Sequence, residues 1–309
     1  MNQLLFIYNP TSGTGQVKGA LSAVLDVFAK AGWITTAYPT QCKGDAQRTA
    51  QELGARYDRV VCAGGDGTLS EVAAGLMALD RPPPLGYIPF GSTNDCAATL
   101  KLPRKPREAA LVAAGTGIPQ FMDVGLLNDK PFVYVAAFGA FTKVAYDTPQ
   151  ELKNTFGHLA YVMAGIASLP TIAPYHMKVE YDGQELEDDF YFGMVSNSQS
   201  IAGLRPPKAE QVVLDDGQFE ITLVKKPLNL TDFTDGLQAL VNLSPADRSG
   251  SLVQFQARQL TFFCPRPIPW TLDGEFGGSQ PVSRIVNRQK ALRIICGEPF
   301  QELQQPRHP

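Results

Sequence analysis

Three apolar runs of strand length within residues 1–95 each end in a loop of small residues, and the first two lead into a clear helical periodicity. Residues 4–8 run into Asn9, Pro10, Thr11, Ser12 and Gly13, after which Val17, Leu21, Val24, Leu25 and Phe28 recur on one helix face. Residues 59–63 run into Gly64-Gly65-Asp66-Gly67-Thr68, after which Leu69, Val72, Ala73 and Leu76 do the same. Residues 85–88 run into Pro89-Phe90-Gly91-Ser92-Thr93-Asn94-Asp95. A fourth strand is predicted over residues 33–38, with Asp45 as N-cap of a helix ending at Leu53. Runs that are apolar at successive positions must be covered on both faces, and parallel strands need helical crossovers. The expected fold of this part is therefore α/β, a parallel sheet with helices on both faces. In such sheets ligands bind at the carboxyl ends of the strands, where all three loops lie.

The pattern changes after Gln120. Residues 121–127 and 132–137 flank an Asn128-Asp129 turn and predict a hairpin. Short strands are predicted over 175–181, 190–196, 219–224, 259–263 and 270–272, with an Asp182-Gly183 turn, and helices over 155–169 and 230–243. This spacing predicts an antiparallel β-sandwich. The expected division is a first domain over 1–125, the sandwich over 126–290, and a tail over 291–309 whose strand at 292–295 returns to the first domain.

The chain has 309 residues, 44% hydrophobic and 18% charged, with a net charge of −3. That balance makes no electrostatic case for a nucleic-acid partner. The five cysteines are odd in number and lack a CxxC pair, so reduced thiols are expected. No pair of the three histidines has metal-ligand spacing. No export leader and no run of transmembrane length is read, so a cytoplasmic chain is expected.

Glycines let backbone N–H groups approach an anion, and a helix N-terminus adds positive partial charge. Asp66 sits where phosphate would be, and two anions tolerate each other there only around a cation, which points to Mg²⁺. Neither a full Gly-x-Gly-x-x-Gly fingerprint nor a Gly-Lys-Ser/Thr P-loop accompanies the centre. Taken singly, the first loop is also an ordinary turn, Asp95 a helix cap, and Asp215-Asp216-Gly217 a surface turn.

Together the loops resemble the lipid kinase family that includes diacylglycerol and sphingosine kinases, most nearly the soluble bacterial diacylglycerol kinases. The resemblance extends to Met122-Asp123-Val124-Gly125, Leu214-Asp215-Asp216-Gly217 and Leu272-Asp273-Gly274-Glu275. It implies a nucleotide-binding α/β domain, a β-sandwich, and an active site in the cleft between them. ATP would be held by Asn9, Pro10, Thr11, Ser12, Gly13, Thr40, Gly65, Asp66, Gly67, Thr68, Leu69, Ser70, Glu71 and Ser92. Relatives usually carry threonine at the place of Ser92, and serine keeps the hydroxyl. Asp123 would face the acceptor hydroxyl, and Glu275 would be the general base, with Asp66 as rival. Asp216 would anchor a Mg²⁺ with the carbonyls of Val213 and Gln218, across the cleft from Asp66. Lysine is common at the place of Val213, but a carbonyl ligand is indifferent to its side chain.

A lipid acceptor requires the protein to reach a membrane surface, transiently and at the inner face. Lys101, Arg104, Lys105 and Arg107 form a basic cluster suited to an anionic leaflet, or equally a solvated loop face. A second copy of the chain is the other candidate partner. Two readings compete with diacylglycerol phosphorylation. One is a small-molecule kinase of the NAD kinase type, which shares the Gly-Gly-Asp-Gly centre but not the Asn-Pro-Thr-Ser-Gly start or the late Asp-Gly-Glu. The other is a nucleotide-binding regulator, which would have no need of Glu275. A different lipid alcohol, such as phosphatidylglycerol or a sphingoid base, is a variant of the first reading.

Overall fold

A computed structural model describes residues 2–91, 94–139, 173–200, 212–226 and 252–299. The helices expected over 155–169 and 230–243, and Ser92, lie outside the described residues. The chain divides into two compact units: residues 1–124, 213–216 and 289–309, and residues 125–212 and 217–288.

In the first unit β1 (Asn2–Tyr8), β2 (Trp33–Pro39), β3 (Arg59–Gly64) and β4 (Leu85–Pro89) pair in the order β2-β1-β3-β4. All three pairings are parallel, with Leu5 opposite both Thr36 and Val60, and Val61 opposite Gly86. Leu4, Leu5, Phe6 and Ile7 are all buried, as a doubly covered strand requires. Leu4, Phe6, Val61 and Ile88 share a core with α1 (Gln16–Lys30) and α5 (Pro106–Leu111). By the alternation of a strand, Leu5, Ile7, Val60 and Cys62 face the other way, toward α2 (Asp45–Leu53) and α3 (Asp66–Leu76). There the two helices approach so closely at Gly75 that a Cβ would run into the backbone of Gln47. Asp45 is not the N-cap of α2: Gly44, in a left-handed conformation, holds that place. Asp45 is the first helical residue, buried, and its carboxylate accepts from the N–H of Gln41 at 2.8 Å and from Arg48. Asn94 likewise precedes α4 (Asp95–Thr99), so Asp95 is a first-turn residue and not the cap.

The second unit is built from antiparallel pairs. A hairpin joins β5 (Ile118–Leu127) to β6 (Lys130–Phe132) across Asn128-Asp129. Its other strands among the described residues include β7 (Val135–Gly139), β8 (Tyr175–Tyr181), β9 (Gln184–Ser196), β10 (Phe219–Lys225), β11 (Leu252–Ala257) and β12 (Gln259–Leu272). β12 is one strand where the sequence predicts two. Pro265, Pro267 and Pro269 lie between the two, and pairing with β13 (Glu275–Cys296) resumes after a register shift between Phe263 and Ile268. Proline lacks an N–H and is accommodated at such irregularities. β9 and β12 are long enough to pair with β8 along one stretch and with β7 along another. Phe138 occupies the enclosed core, edge-on to Trp270 at 5.0 Å and Phe262 at 5.7 Å between ring centroids. The predicted late strand is the end of β13, where Ile294 pairs with Leu85 in parallel.

All five cysteines are free, and four are buried. Burial pushes the thiols of Cys62 and Cys296 up, the latter to about 12, so neither is a reactive thiolate.

Trp270 donates its indole N–H to Ser283 Oγ at 2.8 Å inside the core. Ser283→Ala strands that donor in an apolar setting and should cost about 1–3 kcal/mol. The expected readout is a lower denaturation midpoint at unchanged m-value; an unchanged midpoint would contradict the bond's structural role.

Candidate active site

The three loops at the ends of β1, β3 and β4 converge because each is held by the next. Asn9 extends the β1 ladder by donating its N–H to Ala63 O at 2.9 Å. Its side-chain Oδ1 accepts from the N–H of Thr11 at 3.0 Å and from Thr11 Oγ1 at 2.8 Å, closing a turn on itself. Gly13 adopts φ +59°, and a Cβ there would lie 3.0 Å from Phe90 O. The first loop therefore rests directly on the third.

The second loop is bound to the third through main chain. Gly64 O accepts the N–H of Phe90 at 2.7 Å and the buried hydroxyl of Tyr87 at 3.2 Å. A Cβ on Gly91 would stand 2.9 Å from Gly65 Cα, so Gly91 does not tolerate a side chain. Asn94 sits in the left-handed region at φ +55°. Its carboxamide accepts from Gly91 N at 2.8 Å and donates to Gly91 O at 2.6 Å, setting the shape of the third loop. Asp66 opens α3, and its Oδ2 accepts the N–H of Asp95 at 3.2 Å. Around Gly67 there is open space. The first N–H groups of an α-helix have no intrahelical acceptor, so the start of α3 is an anion cradle with a carboxylate at its lip.

Thr40 follows β2 and donates its N–H to Tyr8 O at 2.9 Å. Glu71 binds the same neighbourhood, its Oε1 accepting the N–H of Gly44 at 2.8 Å. Pro10, Thr11, Ser12, Thr40, Gly65, Gly67 and Ser70 are at least partly exposed, whereas Thr68 is buried. Leu69 is wholly buried and its N–H bonds to Gly65 O.

A second constellation surrounds Asp123. This residue is 0% exposed. Its Oδ1 accepts the N–H of Lys290 at 2.7 Å, and its own N–H donates to Leu214 O at 2.7 Å. Gln289 Nε2 adds a bond to Asp215 O at 3.2 Å. Residues 213–216 are thereby drawn into the first unit, so Asp216 belongs to the same unit as Asp66 and not to an opposing one. Gln218 belongs to the second unit, and its carbonyl accepts Asn287 Nδ2 at 3.3 Å. Asp216 is half-buried, and a carboxylate with main-chain carbonyls is the kind of donor set a hard divalent cation takes. Among the described residues no cluster of three or more His, Cys, Asp or Glu offers an alternative.

Glu275 is the exposed first residue of β13, across from Leu272 in a two-residue hairpin. The turn residues Asp273 and Gly274 have φ +48° and +86°. The sequence gives no warning that Asp273 is buried or that Tyr87 bridges two loops. An Asp-Gly turn is ordinarily solvated, and a strand tyrosine is ordinarily just core.

The sequence profile described as the diacylglycerol kinase catalytic domain matches residues 3–127, and that of the YegS C-terminal NAD kinase beta sandwich-like domain matches residues 136–296. A diacylglycerol kinase of Bacillus subtilis (strain 168) is 35% identical over 300 residues, 96% of each chain. One of Staphylococcus carnosus (strain TM300) is 33% identical over 287 residues, 92% of each chain. A solved structure from Bacillus anthracis str. Sterne superposes with TM-score 0.82 at 25% identity, covering 97% of each chain. Another from that organism, a diacylglycerol kinase, superposes with TM-score 0.77 at 23% identity, covering 97% of this chain and 98% of that one.

Proposed function

The chain belongs to the diacylglycerol kinase family and is an ATP-dependent lipid kinase, and from that premise we propose that its acceptor is the free hydroxyl of diacylglycerol and its product phosphatidic acid. The observation that supports this reading is the convergence of three small-residue loops on the N-terminus of α3, with Asp66 at the first helical position. Phosphoryl transfer needs positioning and charge neutralisation more than covalent chemistry, and backbone N–H dipoles aimed at phosphates supply both. Asn9 to Gly13, Thr40, Gly65 to Thr68 and Ser70 hold the nucleotide in this reading. Glu71 acts by tethering the Gly44 loop. The lipid oxygen attacks the γ-phosphorus, the bond to the β,γ-bridging oxygen breaks, ADP leaves, and Glu275 takes the hydroxyl proton. Asp123 acts at a distance, by holding residues 213–216 in place through its bond network.

Asp216 with the carbonyls of Val213 and Gln218 would hold Mg²⁺, and Asp66 would meet a nucleotide-bound Mg²⁺. When bound, such an ion neutralises phosphate charge. The second reading is a kinase of NAD, prompted by the description of the profile matching residues 136–296. The likeness to diacylglycerol kinases over 96% of the chain weighs for the lipid.

No helix among the described residues is long and apolar enough to cross a membrane. In our reading the protein meets the inner leaflet peripherally, through Lys101, Arg104, Lys105 and Arg107. All four are exposed, but Lys101 pairs with Glu298 at 2.9 Å and Lys105 with Glu108 at 3.1 Å. Exposed Leu111 and Phe121 follow them in the chain and offer apolar contact.

Incubation with labelled ATP and either extracted lipid or NAD should place the label in phosphatidic acid, identified by mass; label in NAD alone would refute the lipid acceptor. Glu275→Gln should lower kcat at least about a hundredfold with little change in ATP affinity. A loss confined to ATP binding would shift the base to Asp66. Asp216→Ala should raise the Mg²⁺ concentration needed for half-maximal activity by about tenfold or more, since it removes the only charged ligand of its set; a superimposable Mg²⁺ titration would count against that site. Neutralising the four basic residues together should weaken binding to anionic vesicles, most at low salt. Unaltered vesicle binding would make the cluster a solvated face.

A further inference from the structure

The hairpin that carries Glu275 is fastened from inside. Its turn, Asp273-Gly274, has positive φ at both residues, the type I′ geometry, for which Asp-Gly is a favoured pair with no further task for the aspartate. Here the aspartate has one. Its side chain is only 5% exposed and accepts three consecutive main-chain N–H groups: Val133 at 2.7 Å, Tyr134 at 3.0 Å and Val135 at 3.0 Å. Its own N–H donates to Val135 O at 2.9 Å. Successive amides curled around one carboxylate make an anion nest, and a buried carboxylate is tolerated only when bonded in this way. Asparagine or glycine would satisfy the turn without burial, so the turn alone does not account for the arrangement.

The strip that Asp273 grips is itself held on its other side. Tyr134 O accepts the N–H of Asn197 at 3.0 Å, and Val135 pairs with Ser196. Ser196, Asn197, Ser198 and Ser200 are all buried there. Asp273 thus ties the hairpin tip to the junction of β7, β9 and β12. Beyond the turn, Glu275 and Phe276 are both exposed. A proton acceptor must be held within a narrow geometry to be effective, and displacement by about 1 Å can cost about a hundredfold.

We propose that Asp273 is a positioning residue: it aims the Glu275 carboxylate by anchoring the turn two residues before it to the amides of Val133, Tyr134 and Val135. This rests on the reading of Glu275 as the proton acceptor.

The test is a double-mutant cycle on the full chain, with diacylglycerol and ATP. Asp273→Asn suits the turn but leaves one carbonyl oxygen to face three amides. It should lower kcat roughly thirtyfold with KM for ATP within about twofold. In the Glu275→Gln background the same change should cost less than about threefold, because its effect passes through the missing carboxylate. A purely structural role predicts the full loss again in that background, and that result would overturn the proposal. So would Asp273→Asn activity within about threefold of wild type. If Glu275→Gln alone retains wild-type kcat, the base assignment fails and the proposal with it, a result distinct from the other two. Should Asp273→Asn not fold, Gly274→Ala takes its place. A Cβ there meets nothing within 4 Å, but φ +86° strains it and shifts the same turn. Its loss of kcat should likewise vanish in the Glu275→Gln background, and an additive loss, or none, overturns the assignment.

Discussion

The junction of β3 and α3 is the constraint on which the first unit depends. Gly64 O receives both the Phe90 N–H and the Tyr87 hydroxyl, and a Cβ on Gly64 would collide with the side chain of Thr68. Gly65 and Gly91 meet main chain to main chain. With side chains excluded at Gly64 and Gly91, the chain turns from strand to helix with its N–H groups at the surface and its first carboxylate, Asp66, beside them. No single bond secures this, since each contributes only about 1 kcal/mol net. The arrangement holds because strand pairing, the Tyr87 bridge and the Asn94 clasp all specify the same main-chain path.

Buried aspartates do similar work elsewhere. Asp45 receives Gln41 N–H, Asp123 receives Lys290 N–H, and Asp273 receives three amides. Each is nearly inaccessible and each fixes a loop next to a strand or helix end. A carboxylate inside a protein must find such donors or not be there, so these positions trade solvation for a defined main-chain geometry. The exposed charges of β8 and β9 are of another kind. His176 lies between Asp189 and Glu187, and the bond to Asp189, then that to Glu187, raises its pKa above the ordinary histidine value. In open solvent such pairs contribute little to stability.

How far the site was legible varied with the range of the interaction. Asp66 announces itself because its neighbours are glycines, a local signal. Asp123 and Asp273 also lie in short motifs, but their partners are 167 and up to 140 residues away. Nothing in the local pattern says whether such an aspartate meets solvent, a metal or an amide. Leu69 stands in the same motif, and helix geometry turns its side chain to the core. Two short strands were expected over 259–263 and 270–272, and the pairing with β13 on either side of the prolines near Arg266 joins them into one.

The sequence alone determined the alternation of strands and helices, the loops at strand ends and the choice of small residues there, because period, apolar runs and turn chemistry are local properties. It also carried the hairpins at Asn128-Asp129, Asp182-Gly183 and Asp273-Gly274, whose first residues all adopt positive φ. Only the tertiary structure decided that β13 runs through both units, that residues 213–216 join the first, and that the Asp273 carboxylate points inward. Those outcomes depend on which distant amide is within about 3 Å of a buried oxygen. A linear sequence does not state that, because it is settled by the simultaneous packing of all the strands.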